Sequence, residues 1–445
     1  MRYLYRVLIL LLTTATMGTI YIFQGGQFRQ HGLSGTVTYP MFPNDITLIW
    51  VMTLPVAFCL WLGWVFFLQH VPWRNAKIPS EMEGKIVIRY VTRGINKEAV
   101  SLSVTTAYEV FEAAGFSNRL SIQVISDRDI PLPSYAEIVL VPSDFKTPEN
   151  SLYKARALYY CQQKKPLSSD EWVLYLDEES RLTKSSVEGI VTFVNQHHQK
   201  AKPPIGQGPI VYTGGRWFWR GADALRLADD LGRFQLQYTL GVPVFGAHGS
   251  YLLLRGDVDK VLPFDVGEPN SLTEDTAWAL TAWQNGYRFG WVNGFILEQP
   301  PGTVKDFLKQ RQRWLSGMKL VVKCPKIQWR YKIPIAIYTY LWQVSFLSIM
   351  LTVLIFVWGL HPPLAVQLIT DFSTSVYVVA YLIGNIVTSY ITKRPLMILT
   401  TMLYPIYGVL ESTASLLALR KLKHFYVVKK PRTENPLSPV PDSNH

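Results

Sequence analysis

The chain has 445 residues, with 44 Lys plus Arg against 32 Asp plus Glu and a formal net charge of +12. Only 17% of residues are charged, 49% are hydrophobic and the mean hydropathy is +0.11, whereas soluble domains carry about 25% charged residues. That balance excludes a polar, disordered chain and points to long uncharged stretches, so a membrane protein is the first expectation.

A spanning helix needs about 20 predominantly apolar residues. No Asp, Glu, Lys or Arg occurs over residues 7–28 or 46–73, which predicts two N-terminal transmembrane helices within residues 1–73. Arg2 and Arg6 ahead of the first run would also suit a signal peptide. Its length, and the lack of a small-x-small cleavage site after it, favour a retained anchor.

Residues 74–332 have ordinary charge and short apolar runs, enough for one α/β domain. Residues 85–91 (KIVIRYV) read as a buried strand ending in Thr92, Arg93 and Gly94. Val100, Val104, Ala107, Val110 and Phe111 then fall at helical spacing, and residues 120–125 alternate into a second strand that exits at Asp127. A third strand over 137–141, a basic helix over 154–160 and a strand over 172–176 follow, the last running into Asp177, Glu178, Glu179 and Ser180. Ligands of open α/β sheets bind outside the carboxyl ends of the strands, so Arg93, Asp127 and 177–179 are candidates for one shared site. G-x-G-x-x-G and G-x-x-x-x-G-K-[ST] are both missing, which leaves a dinucleotide fold or P-loop without support.

Three clusters carry the chemistry, and each has a plainer reading beside it. Acidic residues after a strand are most often a solvated turn or a helix cap, and Asp177 or Ser180 could cap a helix starting near Ser185. The alternative is a hard-cation site for Mg²⁺ or Mn²⁺ on a nucleotide diphosphate. Thr273, Glu274 and Asp275 precede a helix that Gly286 stops. They can cap it, and a carboxylate held there can also be a general base. Gln310 to Trp314 (QRQRW) lie in a stretch, 305–332, with nine basic residues and one acidic residue. That stretch suits anionic lipid heads, while Arg forks match pyrophosphate and Trp offers a flat face to a sugar or base. The aromatics of residues 214–220 (GGRWFWR) suit packing at a membrane interface better than substrate reading.

Toward the C-terminus, residues 333–370 and 372–392 carry no charge and 395–419 carry only Glu411, so 333–420 form a second membrane block of two to three spans. Basic residues flank both blocks, and positive loops favour the cytosol, which predicts that residues 74–332 lie there. Three full crossings would put the basic tail on the opposite side. Pro405 and Glu411 mark the last segment as re-entrant. Residues 421–445, basic and rich in proline, read as disordered. Cys59, Cys161 and Cys324 stand far apart and match no C-x-x-C spacing, which leaves no disulfide framework, and there is no N-x-S/T sequon. Both agree with a cytosolic domain. Nucleic acid is the obvious partner for +12, but the basic residues gather beside membrane segments, so lipid heads explain the charge.

Taken in order, these features resemble the family 2 glycosyltransferases, inverting nucleotide-sugar enzymes of GT-A fold with a Rossmann-like mixed sheet. The resemblance covers about residues 84–320. It runs through Thr92 and Arg93, Asp127, Lys154 to Leu158 (KARAL, like G-K-A-x-A-L), Asp177 to Glu179 (D-x-D), Gly249, Thr273 to Asp275 (T-E-D) and Gln310 to Trp314 (Q-x-x-R-W). Departures are Glu179 for the second Asp, Tyr153 where Gly often precedes the lysine, and Thr92 with Arg93 in place of P-x-x-N-E. The resemblance implies that Thr92, Arg93, Asp127, Lys154, Gln310, Arg313 and Trp314 bind the nucleotide sugar together with Asp177. It further implies that Asp177 and Glu179 hold Mn²⁺ or Mg²⁺, and that Asp275 is the base. The narrower resemblance is to the β-1,4-mannosyltransferases of invertebrate glycosphingolipid synthesis, which implies GDP-mannose as donor, glucosylceramide as acceptor and an endomembrane (ER or Golgi) location. A processive synthase using a UDP-sugar shares the motifs but normally has more spans. A non-catalytic membrane scaffold is the rival from another class.

Overall fold

The computed structural model describes residues 2–28, 54–67, 77–198, 202–358 and 364–420. The predicted disordered tail over 421–445, and parts 46–53 and 68–73 of the second predicted span, lie outside the described residues.

Helices α1 (Arg2–Phe28) and α2 (Leu54–Phe67) precede the sheet domain. The first strand, β1 (Lys85–Thr92), is buried at five successive positions, as expected of a parallel strand covered on both faces. After it come α3 (Lys97–Ala113), β2 (Leu120–Ser126), β3 (Ala136–Leu140), α4 (Tyr153–Lys164), β4 (Glu171–Asp177) and α5 (Lys184–His197). Next are β5 (Ile205–Gln207), β6 (Ile210–Tyr212), α6 (Trp217–Asp229), β7 (Leu252–Arg255), α7 (Glu274–Gln284), β8 (Phe289–Trp291) and β9 (Ile296–Glu298). The chain closes with α8 (Val304–Lys323), α9 (Trp329–Trp358), α10 (Leu364–Thr392) and α11 (Tyr404–Leu417).

Seven strands form one mixed sheet in the order β3-β2-β1-β4-β7-β5-β8, and β6 pairs with β9 in a small second sheet. β1, β2, β3 and β4 are parallel, and β7 runs antiparallel between β4 and β5. The α/β fold of GT-A type expected from the sequence is the fold observed. Register does the positioning: Thr92 pairs with Ser126 and Val91 with Asp177, so three neighbouring strands release their chains at one edge. Tyr90, Phe111, Trp172 and Phe193 fill one face of the sheet, and Val87, Leu158, Tyr175 and Trp278 the other.

Helix α5 corrects one expectation. Its N-cap is Thr183, whose Oγ1 accepts from the Ser186 N–H at 3.1 Å, while the Ser186 hydroxyl accepts from the Thr183 N–H at 2.8 Å. This reciprocal capping box leaves no such role for Asp177 or Ser180. The Ser180 hydroxyl instead donates to Glu298 at 2.6 Å.

Two helices among the described residues are long and apolar enough to cross a membrane, over Tyr5–Ile22 and Leu368–Thr392. The segment after α10 breaks where proline dictates. A 3-10 turn covers Pro395–Leu403, and α11 then starts with Pro405 in its first turn, where a missing N–H costs nothing. At 14 residues α11 is about 21 Å long, short of a hydrocarbon core of about 30 Å. These helices are welded to the domain. Ile9, Leu60, Trp64, Leu231 and Val379 share one buried cluster, and the Trp64 indole donates to the Ala228 carbonyl at 2.8 Å. Within GGRWFWR, Trp219 is buried against Phe307, and Phe218 packs edge-on to Tyr407 of α11.

Candidate active site

One cavity of about 1790 Å³ opens at the carboxyl edge of the parallel strands and extends between the C-terminal helices. Ligand pockets typically run to about 1,000 Å³, so there is room for two substrates at once. Thr92, Arg93, Asp127, Lys154, Asp177, Glu179, Asp275, Gln310, Arg313 and Trp314 all line it. Residues spread over more than two hundred positions of sequence are thereby brought to one place.

Lys154 is the electrostatic centre. Held on the first turn of α4, its ammonium donates to Asp177 and to the Gly249 carbonyl (2.6 Å), and lies 3.9 Å from Glu274 Oε1. Burial opposes its charge, but Asp177 and Glu274 outweigh burial and hold the lysine above its ordinary range. Opposite it, α7 starts with two carboxylates. Burial first, and Asp275 second, push Glu274 up to about 7, while Lys154 pulls the other way. Burial also raises Asp275, against Lys154 and the Thr276 N–H, which donates to Asp275 Oδ1 at 2.7 Å. Thr273 makes no capping bond with its side chain, so the carboxylate of Asp275 satisfies a first-turn N–H in its stead.

Gly249 makes this packing possible. A Cβ there would stand 3.0 Å from Lys154 Nζ and 3.1 Å from Asp275 Oδ2. On the strand side, the Thr92 hydroxyl donates to Glu178, and Asp127 accepts from Arg156 Nη2 at 2.7 Å. Asp177 and Asp127 keep 39% and 40% of their side-chain surface exposed. Arg93 is exposed beside them.

The QRQRW segment on α8 divides its labour. Arg311 is buried, donating to Asp223 (2.5 Å), Glu411 (2.9 Å) and Gln310 Oε1 (2.6 Å). Glu411, costly at bilayer depth without a partner, has one. The Trp314 ring meets two guanidinium groups, Arg226 at 4.3 Å and Arg311 at 4.6 Å from its centroid.

Sequence reasoning missed two contributors. Arg226 lies between Tyr212 and Trp314. His248 lines the cavity with Nε2 2.6 Å from the buried Asp230 carboxylate, whose second oxygen accepts from the Ile210 N–H. Arg311, which the sequence offers within QRQRW as an Arg fork for pyrophosphate, is instead a lock between helices, held by Asp223 and Glu411. No spacing rule links Asp230 to His248 or Asp223 to Arg311. Only the tertiary fold does.

Among the described residues, no group of three or more His, Cys, Asp or Glu is arranged to cage a metal. The donor set suits a hard cation all the same: Asp177 and Glu179 present oxygen donors at the cavity wall, and Mg²⁺ commonly takes one or two carboxylates and completes its shell with phosphate.

A mixed α/β sheet with acidic residues at its parallel strand exits, a half-buried lysine and a helix-borne carboxylate is an arrangement suited to enzymes that transfer sugars from nucleotides. Comparison with known proteins agrees. The pattern of Glycosyl transferase family group 2 matches residues 172–407, more than half of the chain. The beta-1,4-mannosyltransferase egh of Drosophila melanogaster is 32% identical over 398 residues, covering 85% of each chain. The beta-1,4-mannosyltransferase bre-3 of Caenorhabditis elegans is 29% identical over 401 residues, 85% of this chain and 86% of its own. Among solved structures, S. aureus TarS 1-349 in complex with UDP covers 80% of this chain at 12% identity, with a TM-score of 0.34. The chain belongs to Glycosyl transferase family group 2 and is a glycosyltransferase.

Proposed function

We propose that the enzyme transfers mannose from GDP-mannose to the glucose of glucosylceramide, forming a β-1,4 linkage in glycosphingolipid synthesis. Mannose and the β-1,4 linkage follow from the relatives' names, and the GDP-linked donor and lipid acceptor from the family resemblance alone. The observation that carries the chemistry is the meeting of Asp275, Lys154, Asp177 and Arg313 around one cavity. The catalytic unit is embedded in an endomembrane (ER or Golgi) and faces the cytosol. Its apolar helices bring the site to the interface where the head of a lipid is met.

In the reaction, the Asp275 carboxylate takes the proton of the acceptor hydroxyl as its oxygen attacks the anomeric carbon. The bond from that carbon to the diphosphate oxygen breaks on the opposite face, and GDP leaves with the electron pair. One displacement inverts the anomeric centre, from an α-linked donor to a β-glycoside. Arg313 would meet the charge growing on the leaving diphosphate, and Trp314 the acceptor sugar. Asp177 and Glu179 would hold Mn²⁺ or Mg²⁺, which supplies further stabilisation of that diphosphate. Thr92, Arg93 and Asp127 would contact the nucleoside end, and Lys154 and Gln310 would flank the sugar phosphates.

Detergent-purified protein with labelled GDP-mannose or UDP-glucose, glucosylceramide and Mn²⁺ tests this. Mannosylated lipid is expected. Asp275→Asn should lower transfer about 10²- to 10⁴-fold, the usual worth of a general base, with GDP-mannose binding retained. Polymer from the UDP-sugar would overturn the reading in favour of a processive synthase. Loss of donor binding in Asp275→Asn would make that residue structural.

A further inference from the structure

The cavity does not stop at Asp275 and Trp314. It continues into a lobe walled by α9, α10 and α11, and no step of the transfer chemistry uses that space. Its surface there is not wholly apolar. Hydroxyls of Ser373, Thr374 and Tyr377 on α10 and of Ser412 on α11 line it, with the Trp342 ring of α9. Polar side chains within apolar helices cluster where a polar substrate passes.

Ser373 is the informative member. It is 3% exposed, the residue lines the cavity, and its buried Oγ has no hydrogen-bond partner. A buried polar group left unsatisfied costs about 1–3 kcal/mol, so an orphan hydroxyl in a cavity wall marks where a ligand group completes the bond. Charge narrows the class of ligand. Two of the cavity's arginines that stand beside these helices already face carboxylates: Arg233, over the Tyr338 ring, pairs with Asp229, and Arg311 pairs with Asp223 and Glu411. Neither is left to balance a phosphate.

We propose that this lobe binds the neutral, hydroxyl- or amide-bearing segment that joins the acceptor's sugar to its apolar chains, with Ser373 as a hydrogen-bonding and specificity-determining residue. The lobe therefore selects a neutral glycolipid over a phosphate-linked lipid. The inference rests on the glycolipid-acceptor reading above: the sugar must reach Asp275 while the chains stay in the bilayer, and the joining segment crosses the lobe.

The test uses the full chain in detergent with three acceptors: glucosylceramide, octyl glucoside, which lacks the polar joining segment, and a polyprenyl-phosphate-linked glucose. Ser373→Ala should raise KM for glucosylceramide about 5- to 10-fold, the worth of one neutral hydrogen bond. KM for GDP-mannose and for octyl glucoside should move less than about 2-fold on the same physical ground. Ser373→Leu, which fills the space, should suppress glucosylceramide use further while octyl glucoside is still glycosylated. Equal rises for both glucosides, a rise in the donor KM, or no change would overturn the proposal, as would preference of the wild-type enzyme for the phosphate-linked acceptor. Wild-type failure on glucosylceramide, with octyl glucoside still used, would instead overturn the acceptor reading itself.

Discussion

The two ends of the cavity handle charge in opposite ways. At the strand exits, Asp127 and Asp177 are 40% and 39% exposed, and the cations beside them, Arg156 and Lys154, keep 17% and 19% of their side-chain surface open, where substrate charges can rival them. At the helical end, Arg311 and Asp223 are 1% and 0% exposed and bind each other and Glu411 at fixed distances. Exposed pairs contribute little to stability and exchange partners readily, whereas buried ones cannot lose a member cheaply. The first arrangement would suit the diphosphate and cation of the proposed reaction, which come and go. The second ties α6, α8 and α11 together, and so fixes the wall that carries Gln310, Arg313 and Trp314.

Removing the central cation should break that contrast most. Arg311→Met leaves Asp223 and Glu411 without their partner, at a cost of about 3–5 kcal/mol, seen as a marked fall in Tm of the detergent-solubilised enzyme. Restoring neutrality by adding Asp223→Leu and Glu411→Leu should return part of the loss. Asp127→Ala, at the exposed end, should cost under about 1 kcal/mol. Comparable Tm values for Arg311→Met and Asp127→Ala would show that the buried network is no lock.

A smaller effect is expected at the strand end. Gly249→Ala places a methyl 3.0 Å from Lys154 Nζ and 3.1 Å from Asp275 Oδ2, so both must retreat by a few tenths of an ångström. Misplacing a catalytic group by about 1 Å can cost 10²-fold, and the smaller retreat should lower kcat about 3- to 10-fold with Tm nearly unchanged. An unaltered kcat would mean that the carboxylate has slack.

How much of this was legible in the sequence divides along the same line. The strands, their polar exits and the Thr273 to Asp275 cluster could be read because each is a local pattern: an apolar run, then a chemistry-bearing residue at its end. The same locality misled at α5, where Ser180 and Asp177 looked like caps but the reciprocal bond between Thr183 and Ser186 wins. The helical end was closed to such reading. Glu411 looked like a cost until Arg311, 100 positions away, was found against it, and Asp223 sits on a helix whose aromatics gave the stronger signal. Pro405 alone, a local breaker, announced where that end would bend.

The subtlest prediction concerns Glu274, where both behaviours meet. It is buried like the helical charges yet faces Lys154, Asp275 and Arg313 at the catalytic end. Its carboxyl is raised from about 4.5 to about 7, first by burial and then by Asp275. For an acid raised on folding, the native state binds the proton more tightly than the unfolded chain. No penalty exists below about pH 4.5, where both states are protonated. The penalty grows as pH climbs toward 7, and it is constant above that. Glu274 therefore lowers stability progressively across that window, and Glu274→Gln, which cannot ionise, should flatten the decline of Tm between pH 5 and 7. Protonated Glu274 also relieves Asp275 of a like charge, which favours the ionised form that a base requires. The variant should accordingly retain transfer at neutral pH while changing the slope of Tm with pH, and parallel Tm profiles for variant and wild type would remove Glu274 from the coupled set.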